Sequence, residues 1–231
     1  MNGTLIWLTI RQVRWIRFAY LVLLFVTGYF EFTNRGSLSV HSEAGMMVWI
    51  LGAGTIGKDV TNGVLQSIFS RPVKRFEYVL SKWFAVGSMG VLVAWLYLGM
   101  GWTILFFQDR PADLTDLLTG LIIAVLASFG TSASLILFSS LVPGFGDIGL
   151  MFLIGIVPTV AVQFWHGGSQ YWGYIGSEVV QNFLFPAGGW AEDGFDSVSL
   201  FAWVSYFFVI TLCLTLAVWA MNRKEITYAN S

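Results

Sequence analysis

The stretch GAGTIGKD, residues 52–59, comes within one residue of a phosphate-binding loop. That pattern is G-x-x-x-x-G-K-[ST]: backbone N–H groups cradle the phosphates, the lysine reaches them, and the final hydroxyl holds Mg²⁺. Gly52, Gly57 and Lys58 stand at the required spacing. Asp59 does not fit, because it puts a carboxylate beside the phosphates where a Ser or Thr hydroxyl belongs. A working loop also follows a β-strand, whereas the residues before this one, AGMMVWIL, belong to a long apolar run. We therefore expect no nucleotide site and no cofactor in this chain. The glycines read as close-packing positions at the inner end of a membrane span, and Lys58 marks the aqueous boundary.

Other chemistry-bearing residues are sparse. His41 and His166 fall at the ends of apolar runs with no ligand spacing around them, so we expect interfacial hydrogen bonding rather than a metal site. Cys213 is the sole cysteine and lies in an apolar run, which excludes a disulfide framework. An intramembrane serine protease would need a G-x-S-G setting and a facing histidine. The nearest match, GTSA at 130–133, lacks the final glycine, and no histidine falls inside a span.

The elements that must hold these residues are set by composition. The chain is 56% hydrophobic and 11% charged, with 11 Trp and 20 Phe among 231 residues. A soluble domain carries about 25% charge and could not bury so much apolar surface in one core. The expected class is an all-α, polytopic membrane protein, with 1–231 forming a single transmembrane domain. Six apolar runs can be read, at 16–31, 42–57, 83–107, 117–140, 148–165 and 200–221. The third, fourth and sixth easily reach the ~20 residues that cross a bilayer as helix. The first and second are short and must recruit interfacial neighbours.

Six spans place both termini on one side, together with 58–82 and 141–147. That side carries Arg11, Arg14, Arg17, Lys58, Arg71, Lys74, Arg75, Lys82, Arg223 and Lys224, ten of the twelve basic residues. By the positive-inside rule this side is cytoplasmic, giving a multi-pass protein of the cell's inner or plasma membrane. Ionisable groups are nearly absent inside the runs, which argues against an ion-coupled carrier or a hydrophilic channel.

The only sizeable internal cytoplasmic loop reads GKDVTNGVLQSIFSRPVKRFEYVLSKW. Val60, Val64 and Ile68 recur every fourth residue, and Leu65 and Phe69 widen the stripe, as on one face of an amphipathic helix. That face needs cover, either from a second protein or from the chain's own spans and the lipid interface. Ser70-Arg71-Pro72 then breaks this helix, and proline suits the first turn of the next. The new helix runs through Lys74, Arg75, Glu77 and Lys82 into the third span.

This loop resembles that of the membrane-spanning subunits of type-2 ABC transporters. Their usual pattern is an acid, three residues, Gly-Thr-Leu, a few residues, Arg-Pro-Val-x-Arg, and later a Lys opening the third span. Here the matching residues are Asp59, Gly63-Val64-Leu65, Arg71-Pro72-Val73-Lys74-Arg75 and Lys82, with Val64 where Thr is usual. The motif covers about 25 residues; the six-span layout, the basic N-terminal segment and the tail MNRKEI extend a looser likeness. The resemblance implies that 59–70 is a coupling helix docking on a separate cytosolic ATPase, through Asp59, Val60, Gly63, Val64, Leu65, Ile68, Arg71, Pro72 and Arg75. Lys58, Lys74 and Lys82 would mark the cytoplasmic interface, and 1–17 would be an interfacial elbow helix. ATP and Mg²⁺ would bind the partner, not this chain. A second permease chain, identical or not, would complete the transporter, most simply an exporter. Nucleic acid is not among the expected partners.

Two further features are open to more than one use. Gly120, Ala124, Ser128 and Ser132 recur every fourth residue in the fourth span, and such small residues let helices approach closely. The segment 166–199 lies on the outer side and is rich in aromatics; Ser177 can cap a short helix ended by Pro186. Such a segment is expected to lie on or dip into the outer leaflet; it reads as an aromatic belt, or as a gate at the outer exit or a contact with an extracytoplasmic partner. The alternative to the permease is a non-transporting membrane scaffold or assembly factor that binds a cytosolic protein through 58–82.

Overall fold

The computed structural model describes residues 3–11, 15–35, 41–69, 73–108, 114–144, 146–147, 149–151, 153–154, 179–180, 182–187 and 200–228. Among these there is no strand. The helices are α1 (Gly3–Arg11), α2 (Trp15–Arg35), α3 (His41–Gly52), α4 (Gly57–Thr61), α5 (Val64–Phe69), α6 (Arg75–Phe107), α7 (Leu114–Leu141) and α8 (Leu200–Tyr228). Three are long and apolar enough to cross a membrane: α6, α7 and the Leu200–Arg223 part of α8. At 1.5 Å per residue the 33 residues of α6 reach about 50 Å, well beyond the ~30 Å hydrocarbon core.

α7 is the centre of the bundle. Of its most apolar 18 residues 72% are buried, against 39% for α6 and 22% for α8. It packs on α3, α6 and α8, and its small side chains make that possible. Ala124, Ser128 and Ser132 of the four-apart row are fully buried, and Gly120 faces Leu98 of α6. At Gly90 three helices meet, with Val48 of α3 and Ser128 of α7 in the space a side chain would take. The row thus lies at close helix contacts within the chain. Buried Cys213 packs in the same core. The apolar faces of α2 and α8 point outward instead, with Leu23, Phe30, Phe201 and Phe208 all at least 60% exposed. Such a surface suits a lipid solvent.

Helix boundaries depart from the apolar runs in two places. The run 42–57 is helical only through Gly52, because Gly54 takes a left-handed φ of 67° and turns the chain. The 12 residues of α3 then rise about 18 Å. The single amphipathic helix expected over 59–70 is divided into α4 and α5 at Asn62 and Gly63, the latter at φ 68°. The helix leading into the third run is continuous as expected, with extended Lys74 as its N-cap.

Most of the fifth run and most of 166–199 fall outside the described residues, as do Arg71, Pro72, Arg14, His166 and Ser177. The described part of the latter segment is helical at 179–180 and 182–184, and leaves the helix before Pro186. It packs among the helices rather than at the Leu114 end of α7. Ser134 donates to the Leu184 carbonyl at 3.1 Å, and Phe185 stacks on Trp49 at 5.1 Å. Ser134 is seven residues from the Leu141 end of α7 and twenty from its Leu114 end, so the segment re-enters the helix bundle. Ser134 itself, a small polar residue in an apolar helix, supplies the donor that the incoming backbone needs.

Candidate functional site

Asp59 sits on α4, 23 residues from Lys82, yet the two form an ion pair of 2.8 Å with side chains only 4% and 3% exposed. Tyr78, one helical turn before Lys82 on α6, donates its hydroxyl to the same Asp59 oxygen at 2.7 Å. The Lys82 ammonium lies 5.6 Å from the Tyr78 ring centroid and also donates to the Thr55 carbonyl at 3.4 Å. A buried carboxylate and ammonium are tolerable only when paired and hydrogen-bonded in this way. The pair ties α4 to the base of α6.

The turn between α3 and α4 is held from three further sides. Arg17 of α2 donates to the carbonyls of Leu51 and Ala53, satisfying the C-terminal end of α3. Asp147 accepts the Gly54 N–H at 2.6 Å. Ser139, near the end of α7, accepts the N–H groups of both Ile56 and Gly57 at 3.0 Å, which open α4. Gly57 lies so near the backbone of Gly144 that a Cβ there would be 2.5 Å from its carbonyl oxygen. Side chains from α2, α6, α7 and the turn after α7 thus converge on one stretch, 51–59. The amides that a phosphate would need at Gly54, Ile56 and Gly57 are engaged within the chain.

The remaining residues of the motif are distributed by depth. Val60, Leu65 and Ile68 are half-buried against the chain's own core. Val64 is exposed and so is Gly63. Part of the apolar stripe is therefore covered by the spans themselves, and Val64 faces outward. Lys58 is half-buried and Lys74 exposed. Arg75 donates to the Asn222 side chain of α8 at 2.8 Å, joining the start of α6 to the end of α8. Of the charged residues the sequence singled out, the structure brings Asp59 and Lys82 together. α1 packs on α6, burying Leu5 and Thr9 and exposing Trp7 and Leu8.

Three contributors were not singled out in the sequence, Tyr78, Ser139 and Asp147, and Arg17 was read only as a basic residue at the start of the first span. Tyr78 had a legible cue, four residues before Lys82 on one helix face. Asp147, in the glycine-bounded stretch GFGDIG, is an acid within a short link between apolar runs. Nothing local marks Ser139 apart from the other serines of α7, because its partners are backbone groups more than 80 residues away.

No group of three or more His, Cys, Asp or Glu side chains that could hold a metal ion is present among the described residues. The contacts at this site fix one short helix to several long ones. No protein-family model matches the chain, and a comparison with curated proteins returns no match.

Proposed function

We propose that the chain is the membrane-spanning subunit of an ATP-driven transporter of the type-2 ABC kind, acting as an exporter with a separate cytosolic ATPase and a second permease chain. It would be a six-span protein of the inner or plasma membrane with both termini cytoplasmic. The observation that carries this reading is the buried Asp59–Lys82 pair. The two charged positions that the resemblance assigns to the coupling segment and to the opening of the third span are bonded to each other. A partner that displaces α4 must therefore displace α6.

The contacts around the pair extend that linkage. Ser139 and Asp147 tie the same turn to α7 and the segment after it, and Arg17 ties it to α2. Closure of two ATPase subunits on ATP would push α4 and α5, and the spans would follow as one body rather than bending singly. Exposed Val64 offers the partner an apolar contact that the chain's own core does not cover. The scaffold reading needs the same surface but gives no reason for a rigid link from it into the membrane.

Copurification tests the proposal. The full chain, extracted in mild detergent from its own cells, is expected to carry an ATP-hydrolysing subunit in comparable amount. Extraction that recovers the folded chain with no such subunit would overturn it.

A further inference from the structure

Phe201, Val204, Phe208, Leu212, Leu216 and Trp219 of α8 are all more than a third exposed. They recur every three or four residues, so they share one face of the helix. From Phe201 to Trp219 that face rises about 27 Å, close to the ~30 Å of a hydrocarbon core. Arg223 continues the row four residues on, about 6 Å farther along the axis. Its side chain is exposed, and its guanidinium carbon lies 4.0 Å from the centre of the Trp219 ring. The charge is thus folded back along the helix to the tryptophan instead of reaching away from the apolar face. α6 begins beside it. Arg75 donates to Asn222 of α8 at 2.8 Å, and exposed Lys74 is the N-cap of α6. Phe76 adds an exposed aromatic next to Arg75.

We propose that this seam between the start of α6 and the end of α8 binds the phosphate of an anionic phospholipid. Arg223 and Lys74 are its cationic contacts, and Arg75 holds the two helix ends together through Asn222. Basic sites between membrane helices at headgroup level suit anionic lipids, and a guanidinium offers a phosphate two parallel N–H donors. Stacking on Trp219 already fixes the guanidinium, so little side-chain freedom is lost on binding. Glu77, half-buried in the first turn of α6, offsets part of the charge and leaves the cations in excess.

Charge and depth decide between lipid and protein. A second copy related by a two-fold axis along the membrane normal would meet each seam residue at its own depth, setting Arg223 against Arg223. α8 has no Asp or Glu between Leu200 and Lys224 to receive that charge. A cytosolic protein would approach from the water, whereas this guanidinium lies over a ring at the end of the apolar face, where aromatic side chains border the headgroups. The anionic group met at that depth is a lipid phosphate. This inference stands apart from the transport proposal, since it needs no ATPase.

The test uses native mass spectrometry of the full chain in mild detergent, titrated with phosphatidylglycerol or with phosphatidylcholine of the same acyl chains. Two cations at about 1 kcal/mol each predict about 25-fold tighter binding of phosphatidylglycerol. Arg223→Gln and Lys74→Gln, both at exposed positions, should each raise its Kd about fivefold and together about 25-fold, with phosphatidylcholine binding unchanged. Arg110→Gln removes the same charge from the link between α6 and α7 and should leave the Kd as it was. Equal binding of the two lipids, an undiminished preference in the double variant, or the same loss with Arg110→Gln would overturn the proposal. Displacement of phosphatidylglycerol by millimolar inorganic phosphate would show a free-anion site. A second protein cross-linked from a photoreactive residue at position 219 would show a protein surface. Either would overturn the proposal equally.

Discussion

Removing the ammonium of Lys82 should reveal how tightly α4 is bound to α6. Lys82→Met keeps the length and apolar stem of the side chain and deletes only the charge. The Asp59 carboxylate, 4% exposed and 2.8 Å from that ammonium, is then left buried without its counter-charge. Breaking a buried pair from one side costs about 3–5 kcal/mol. Asp59→Asn strands the ammonium instead, and the same range applies. The double variant strands neither, and exchanging a whole buried pair for neutral groups is often close to neutral. With the double variant close to neutral, a double-mutant cycle should therefore give a coupling energy of about 6–10 kcal/mol, above the range of about 0.5–3 kcal/mol usual for residues in contact. The assay is denaturant unfolding in detergent, followed by the intrinsic fluorescence of the 11 tryptophans. Single variants costing under about 1 kcal/mol, or strictly additive effects, would refute the claim that a closed ion pair joins α4 to α6.

Two further substitutions probe the other supports of the same turn, in the same unfolding assay. Ser139→Ala removes the acceptor shared by the Ile56 and Gly57 amides and should cost about 1–3 kcal/mol, the usual price of an unsatisfied buried group. Gly57→Ala drives a Cβ against the Gly144 carbonyl, which is backbone and cannot rotate away, and should cost about 1–3 kcal/mol by overpacking. An unchanged unfolding curve for either would mean that the turn is not packed as described.

Some of this organisation was legible in the sequence for plain physical reasons. α6, α7 and α8 announce themselves because a bilayer demands long unbroken apolar runs, and their cores match the runs at 83–107, 117–140 and 200–221. The row at Gly120, Ala124, Ser128 and Ser132 was readable because close helix contact needs small residues at a fixed spacing. Glycine was harder to interpret. Gly54 and Gly63 sit in stretches whose apolar pattern continues across them, and only the backbone shows that both adopt positive φ and divide the helices there. The Asp59–Lys82 bond was hidden because periodicity describes one helix at a time, whereas this pair joins two. The anchors of 182–187, Ser134 and Trp49, were hidden for a related reason: they lie on other helices.

On the function proposed above, an ATPase acts through α4 and α5 on spans to which α4 is bonded. The most direct measurement is ATPase association and activity of the wild-type chain beside Val64→Asp. Val64 is exposed, so the charge should leave the chain's own stability within about 0.5 kcal/mol. At an apolar docking surface the same charge would be buried without a partner. The account predicts a folded Val64→Asp chain that no longer retains or stimulates the ATPase subunit that the wild type carries. A Val64→Asp chain that keeps that subunit with undiminished stimulated ATP hydrolysis would contradict it.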